Sequence, residues 1–234
     1  MARIAYSLDA GSAVDQVKTT ESKGLDVGEA PVKLDEEWAN ALTHGIAAIV
    51  STIAAAFLVR AALDISVGTA IAAAAYMTSV IGTFVSSTLS HLIFRQPMLD
   101  NLRAWDQAMI YTMISGTYTP IIYAHAPDGV RDPLLITIWV AAAAGFLGKV
   151  LLRHRINSIG TISYLLLGWL PAIPLAGYVP APLVSLMITG GVLYSIGVVL
   201  LVNDSRIKYL HAGWHLFVMM AATSHFLGIW WYTL

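Results

Sequence analysis

HAGWHLFVMMAATSHFLGIWWY, residues 211–232, contains three of the chain's seven histidines in a stretch that is otherwise almost wholly apolar. Its length matches the roughly 20 residues that an α-helix needs to cross the hydrocarbon core of a bilayer. An imidazole is costly to place in such a setting unless its nitrogens find partners. The stretch therefore predicts a membrane-spanning helix whose histidines serve a purpose.

The composition of the whole chain also indicates a membrane protein. Of its 234 residues, 57% are hydrophobic and 12% are charged, whereas soluble domains are nearer a quarter charged. The net charge of -1 gives no reason to expect a nucleic-acid partner. Cysteine is absent, which excludes disulfides and thiolate metal sites. A transition-metal site would use His, Asp, Glu or water.

Continuous apolar runs, broken by short polar stretches, follow one another from residue 34 to the end of the sequence. Barrel strands would instead alternate apolar and polar residues. The pattern predicts an all-α protein, a bundle of seven transmembrane helices in which consecutive helices are antiparallel. The predicted spans are about 40–63, 69–93, 106–125, 133–151, 158–177, 182–202 and 211–232.

Residues 1–33 lack the apolar core of a cleaved leader and have no sustained periodicity, so they are predicted to form a flexible polar tail before a membrane domain at 34–234. Leu34, Trp38 and Leu42 are spaced four apart. This spacing fits either a short interfacial helix before the first span or an early first turn of that span.

Basic residues in the loops favour one orientation in the cell membrane. The side opposite the N-terminus has only Arg60 and Arg131. By the positive-inside rule, the N-terminus is cytoplasmic and the C-terminus is outside. The basic residues predicted on the cytoplasmic side are Lys33, Arg95, Arg103, Lys149, Arg153, Arg155, Arg206 and Lys208.

Polar residues on three predicted spans meet at the cytoplasmic third of the bilayer. His91 ends the second span, Asp106 begins the third, and His211 and His215 occupy the first turns of the seventh. The last two are i and i+4, so their rings lie about 6 Å apart on one helix face. Three imidazoles and a water form the open site of a catalytic zinc, and Asp106 and Ser87 would orient the water.

Two other interpretations of this cluster remain open from the residues alone. A histidine pair at i and i+4 inside an apolar helix can form a proton relay, and single buried histidines can serve packing through hydrogen bonds. Ser87 taken alone fits helix packing, because small hydroxyl residues let helices approach closely.

The remaining histidines are expected to play other roles. His225 lies about 15 Å beyond His215 along the helix, so we expect it to bond a hydroxyl or backbone carbonyl of a neighbouring helix. His44 could reach the level of the site but is alone on its helix. His125 and His154 fall in or beside loops and are predicted to be surface residues.

Glycines and prolines within the spans suggest close packing and kinks. Gly190, Gly191 and Gly197 in the sixth span predict close internal helix contacts. Kinks would either open an entrance for lipid between helices or be tolerated without a role. The residues considered for kinks are Gly116, Pro120, Pro171 and Pro174.

Four stretches resemble motifs of the hemolysin III family, the bacterial branch of the progestin and adipoQ receptor superfamily that includes the adiponectin receptors. They are EEWANALTHG (36–45), SSTLSH (86–91), WDQAMIYTMISGTYTP (105–120), and HAGWH (211–215) followed by SHF (224–226). The resemblance covers the whole membrane part of the chain.

This resemblance implies a seven-helix fold with a cytoplasmic N-terminus and a zinc cofactor. It implies that His91, His211 and His215 are the zinc ligands, and that Asp106 and Ser87 bind or orient the zinc-bound water.

A site at this depth would meet lipid carbonyls, so membrane lipids are the expected partners. The first hypothesis is a zinc-dependent hydrolase of lipid amides or esters, supported by analogy with alkaline ceramidases in the wider superfamily. The alternatives are a cytolysin or pore, and a zinc-stabilised receptor or regulator of membrane lipid homeostasis.

Overall fold

The computed structural model describes residues 33–152 and 157–234, and within these ranges all regular secondary structure is helical. The prediction of an all-α, seven-helix bundle is confirmed, with one additional short helix. Nearly all of the predicted tail and the segment containing His154 lie outside the described residues. The helices are α1 Leu34–Ile65, α2 Val67–Leu92, α3 Met98–His125, α4 Asp128–Leu152, α5 Asn157–Trp169, the four-residue α6 Ala172–Leu175, α7 Ala181–Leu201 and α8 Leu210–Tyr232.

The first helix is longer than the first predicted span. It runs without a break from Leu34, which favours an early first turn over a separate interfacial helix. Leu34, Trp38 and Leu42 are 55%, 65% and 62% exposed along it. These side chains form one apolar outer stripe, as expected of a helix that faces lipid.

The fifth predicted span is divided. It forms α5 and then the short α6, with Pro171 between them. Proline lacks the amide hydrogen that a continuing helix would donate. The Tyr118 hydroxyl donates to the Gly168 carbonyl at 2.5 Å, so a carbonyl near the end of α5 has a partner from α3.

Helix packing makes the first and last helices neighbours. Each of the first four helices packs on the next, α7 packs on α8, and α1 also contacts α8. The shorter α5 contacts α3, α4 and α7. As a result α1 lies between α2 and α8, the two helices that carry the clustered histidines.

Glycines in α7 allow α5 and α8 to approach closely. A Cβ at Gly190 would lie 2.2 Å from His225 Nε2, and one at Gly197 would lie 2.7 Å from a Trp214 ring carbon. A Cβ at Gly191 would lie 2.9 Å from the Trp169 ring. The predicted internal packing of these glycines is confirmed.

The outer surface of the bundle suits a bilayer. Within the described ranges, α1, α2, α4 and α7 are long and apolar enough to cross a membrane. Polar side chains of α3 and α8 are buried inside the bundle, among them Ser115 and Thr119 of α3 and His215 of α8. These features agree with a multi-pass membrane protein.

Ion pairs bring the start of α1, the start of α3 and the α7–α8 loop to the same end of the bundle. Lys208 pairs with Asp35, and a guanidinium nitrogen of Arg103 lies 3.8 Å from Glu37. The hydrogen bond that Lys208 donates to the Asp35 carboxylate raises the pKa of Lys208 above its ordinary value. The side of the membrane on which this end lies remains a prediction.

Gly116→Ala is expected to destabilise the bundle, because the added Cβ would lie 1.8 Å from Ser79 Oγ and 2.9 Å from Ser79 Cβ. Overpacking of this kind costs about 1–3 kcal/mol. A lower thermal unfolding temperature in detergent would show it. Gly148→Ala is the matched control, since a Cβ there meets nothing within 4 Å. Equal unfolding temperatures for the two variants would contradict the prediction.

The orientation can be tested with single cysteines, because the chain has none of its own. We expect a membrane-impermeant maleimide to label Gly129→Cys on intact cells and to label Ser205→Cys only after permeabilisation. Both positions are exposed and lie at opposite ends of the bundle. The reverse labelling pattern would place the N-terminus outside.

Candidate metal centre

Three histidines from two helices converge at one end of the bundle. His91 lies in the last turn of α2, and His211 and His215 lie in the first two turns of α8. One ring nitrogen from each lies within 4.8 Å of the others. The ring centroids are 4.8 to 5.3 Å apart. The structure thus brings together the three residues that the sequence proposed as ligands.

The first helix determines the tautomer of His215. Its Nδ1 lies 3.1 Å from the Asn40 carbonyl oxygen and 3.0 Å from the Thr43 hydroxyl. A carbonyl oxygen only accepts, so Nδ1 must carry the proton. The free lone pair is therefore on Nε2, which is the arrangement of a metal-binding imidazole.

Carboxylates engage the other two imidazoles in the same way. His91 Nδ1 lies 2.5 Å from Glu37 Oε2, and His211 Nδ1 lies 2.8 Å from Asp204 Oδ2. An ionised carboxylate accepts, so each ring again carries its proton on Nδ1. His91 Nε2 is buried without a hydrogen-bond partner among the described residues.

The set of donor atoms suits a borderline transition metal. Imidazole nitrogens bind zinc, copper, iron and nickel, whereas magnesium and calcium prefer oxygen ligands. Each ring is oriented from its far nitrogen by a carboxylate or a carbonyl, as is typical of metal-bound histidines. The group of His91, His211 and His215 could therefore hold a metal ion.

Asp106 and Ser87 lie beside the cluster, as the sequence proposed. The Asp106 carboxylate accepts a hydrogen bond from the Ser87 hydroxyl. The Ser90 hydroxyl lies 3.3 Å from Asp106 Oδ2 and 2.9 Å from the Ser87 carbonyl oxygen, so its single proton can serve either acceptor. Ser87 is 1% exposed and lines the same cavity as Asp106. The two hydroxyls hold the carboxylate at the wall of the site. Ser90 was not among the predicted residues.

His44 contacts the cluster directly, which the sequence interpretation did not predict. Its ring is stacked on His215 with centroids 3.6 Å apart and planes 10° from parallel. It is 3% exposed, and neither ring nitrogen has a hydrogen-bond partner within the described part of the chain. The stack fixes the ring plane of His215 from the side of α1.

The other described histidines lie apart from the cluster. His225 Nε2 donates to the Met187 carbonyl of α7 at 3.2 Å, so the predicted bond to a neighbouring helix is confirmed. His125 is half-buried at the end of α3, and its Nε2 is enclosed. The prediction that His125 is an ordinary surface residue is wrong, because the end of α8 packs against it through the Tyr232 backbone.

Sequence reasoning missed the groups that orient the imidazoles. Glu37, Asn40 and His44 are spaced three and then four residues apart, which places them on one face of α1. That spacing is a signal that could have identified this polar face. Asp204 lies in the loop before α8, where no helical periodicity marks it.

A large apolar cavity opens from the cluster into the bundle. Its volume is about 1090 Å³, at the upper limit of ordinary ligand pockets, which hold about 300–1,000 Å³. On α8 its wall runs from His211 to His225, a distance of about 21 Å at 1.5 Å per residue. Asp106 lies at the histidine end, and Val179 and Val184 line the other end.

The part of the chain that matches a known protein family includes every residue of this site. The family model described as Haemolysin-III related matches residues 32–226. The hemolysin-3 homolog of Bacillus subtilis (strain 168) is 32% identical over 203 residues, which are 85% of this chain and 95% of that protein. The hemolysin-3 of Bacillus cereus is also 32% identical, over 85% of this chain and 92% of that protein.

Similarity extends to an animal protein. The human monocyte to macrophage differentiation factor is 27% identical over 202 residues, which are 84% of each chain. The residues matched by the family model include the first six long helices, most of α8 and the three clustered histidines. With these apolar helices, the protein is a multi-pass protein of the cell membrane. The chain belongs to the haemolysin-III related family.

Proposed function

We propose that this protein is an intramembrane, zinc-dependent hydrolase that cleaves amide or ester bonds of membrane lipids. The observation that carries the proposal is the position of the histidine and aspartate cluster at one end of a long apolar cavity. A polar reaction centre beside an acyl-sized channel suits a substrate with a scissile carbonyl and a hydrocarbon chain.

His91, His211 and His215 would hold the zinc ion through their Nε2 atoms. Three neutral nitrogens with a fourth position left open are the ligand set of catalytic zinc. Zinc binds nitrogen at about 2.0–2.1 Å, so the rings would draw together from their present spacing. When bound, zinc supplies Lewis acidity, which polarises a carbonyl and lowers the pKa of water toward about 7.

Asp106 is the proposed general base and acid. Its carboxylate accepts the proton of the attacking water and delivers it to the leaving amine or alcohol. Ser87 and Ser90 donate to this carboxylate and hold it facing the cavity. A carboxylate fixed in this way loses little free energy to reorientation during the reaction.

The shape of the cavity supports a lipid with a long chain as the substrate. The wall length of about 21 Å exceeds one leaflet, which is about half of the roughly 30 Å hydrocarbon core. Most of the lining is aliphatic or aromatic, including Ile121, Leu175 and Val218. We therefore propose membrane lipids as the partners of this protein.

The amount of zinc bound to purified protein tests the proposed metal site. Wild-type protein is expected to bind about one zinc per chain, and His91→Ala to lose it. Glu37→Gln should lower zinc affinity about 10–100-fold, because the carboxylate that orients His91 is replaced by a neutral amide. Elemental analysis and competition with a chelating dye would measure both effects.

His125→Ala is the matched control for zinc content, because His125 lies at the end of α3, away from the cluster. Undiminished zinc in His91→Ala would remove the basis of the proposed metal site.

Replacement of Asp106 tests its proposed role as the acid and base of the hydrolysis. Asp106→Asn should lower the hydrolysis of lipid amides or esters by at least about 100-fold with its zinc retained, since a positioned acid–base group contributes about 10²–10⁴ in rate. Product release from purified protein, followed by mass spectrometry, measures the effect. Asp64→Asn is the control, because Asp64 is exposed and pairs with Arg60.

Other outcomes of this assay would favour the alternative functions. A wild-type protein with a full complement of zinc but no turnover would contradict the hydrolase and favour a receptor or regulator of membrane lipid. Two relatives carry the name hemolysin-3. Dye leakage from liposomes that persists in His91→Ala would therefore favour a pore.

A further inference from the structure

Lys149 is a cation in the wall of the cavity, at the end where the histidines lie. It belongs to the last turn of α4, and its Nζ donates to Gln107 Oε1 of α3 at 3.0 Å. Gln107 follows Asp106 directly, and all three residues line the cavity. The ammonium group is thus held beside the proposed reaction centre.

Three neighbours hold the ammonium in this position. Besides its bond to Gln107, Nζ lies 6.0 Å from the centre of the Tyr164 ring. A Cβ on Gly160 would lie 2.7 Å from Nζ, so the glycine leaves the space that the ammonium occupies. The Tyr164 hydroxyl donates to the Gln107 backbone carbonyl at 2.8 Å, which ties two of these partners together.

None of these neighbours carries a negative charge. Within residues 33–152 and 157–234, no carboxylate forms an ion pair with Lys149, whereas several other basic side chains pair with acids. A cation in a largely apolar cavity without a counter-ion is unfavourable. The neutral Gln107 amide and the Tyr164 ring hold the Lys149 ammonium in place but do not neutralise its charge. Asp106 lines the same end of the cavity but forms no ion pair with Lys149, so the ammonium group remains available to an anionic ligand.

We propose that Lys149 and Gln107 form a subsite for the anionic oxygens of a lipid, either a carboxylate or a phosphate, whose chain lies in the cavity. This inference rests on the proposed function, which places a lipid chain in the cavity. It adds that the head group of the lipid is anionic. Ammonium and amide N–H groups both donate to such oxygens. Because Gln107 adjoins Asp106, the anion binds at the end of the cavity where bond cleavage is proposed.

The test compares three probes that share one chain: hexadecanoic acid, hexadecyl phosphate and neutral hexadecanol. Their affinities are measured for the full-length protein in detergent, with metal removed by EDTA so that no metal ion can hold the anion. We expect wild-type protein to prefer at least one anionic probe over the alcohol by about 10–100-fold, the effect of a hydrogen bond to a charged group. The preferred anion distinguishes a fatty acid from a phosphorylated lipid.

Lys149→Met should abolish this preference and leave the affinity for hexadecanol unchanged, while Lys149→Arg should retain it. Lys208→Met is the matched control, because Lys208 lies at the same end but outside the cavity. Equal affinities of the acid, phosphate and alcohol for wild-type protein, or an unchanged preference in Lys149→Met, would overturn the subsite and leave the lipid cavity standing. Failure of all three probes to bind would overturn the lipid function along with the subsite.

Discussion

An imidazole buried in an apolar bundle needs a partner for each of its two nitrogens. The three clustered histidines meet this requirement on one side with protein groups: Glu37 for His91, Asp204 for His211 and the Asn40 carbonyl for His215. An unsatisfied buried polar group costs about 1–3 kcal/mol. Each Nδ1 is thus occupied, and His91 Nε2 is buried without a partner among the described residues. A metal ion could bind this nitrogen together with those of His211 and His215.

That requirement also explains the arrangement of the helices. α1 contributes Glu37, Asn40, Thr43 and His44, so it must lie between α2 and α8, and the packing places it there. The outer surface of α1 is apolar, as a lipid-facing helix should be, while its inner face at this end is polar. α1 thus presents an apolar face to the lipid and orients two of the imidazoles, those of His91 and His215.

The two ends of the cavity differ in chemistry. At the histidine end, Asp106, Gln107 and Lys149 supply polar and charged groups from α3 and α4. Farther along, the lining is mainly apolar. A molecule with a polar head and a long hydrocarbon tail matches this division better than a water-soluble substrate would.

Much of this arrangement could be predicted from the residues. Continuous apolar runs predict the helices, because only helices satisfy their own backbone groups in lipid. The spacing of His211 and His215 predicts their shared face, and alternating helix directions bring His91 and Asp106 to the same depth. These steps need only local periodicity and the direction of the chain.

Other features depend on tertiary contacts that no local pattern encodes. Asp204 lies in a loop, so only the folded chain shows which histidine it contacts. The end of α5 depends on Pro171 and is accompanied by the Tyr118 hydrogen bond from another helix. In the sequence, Lys149 is only one of the basic residues that predict the cytoplasmic side. Its side chain extends into the cavity because Gly160 leaves space for the ammonium group, and no local pattern shows this.

The contact between α1 and α8 has a consequence for biosynthesis. Membrane helices leave the ribosome in order, with the N-terminal helices first. His91 and its partner Glu37 are therefore made long before His211 and His215, which belong to the final helix. The nascent protein cannot assemble the cluster until translation is nearly complete. A chain truncated before α8 would retain only His91 of the three clustered histidines, so the cluster forms only in the full-length protein.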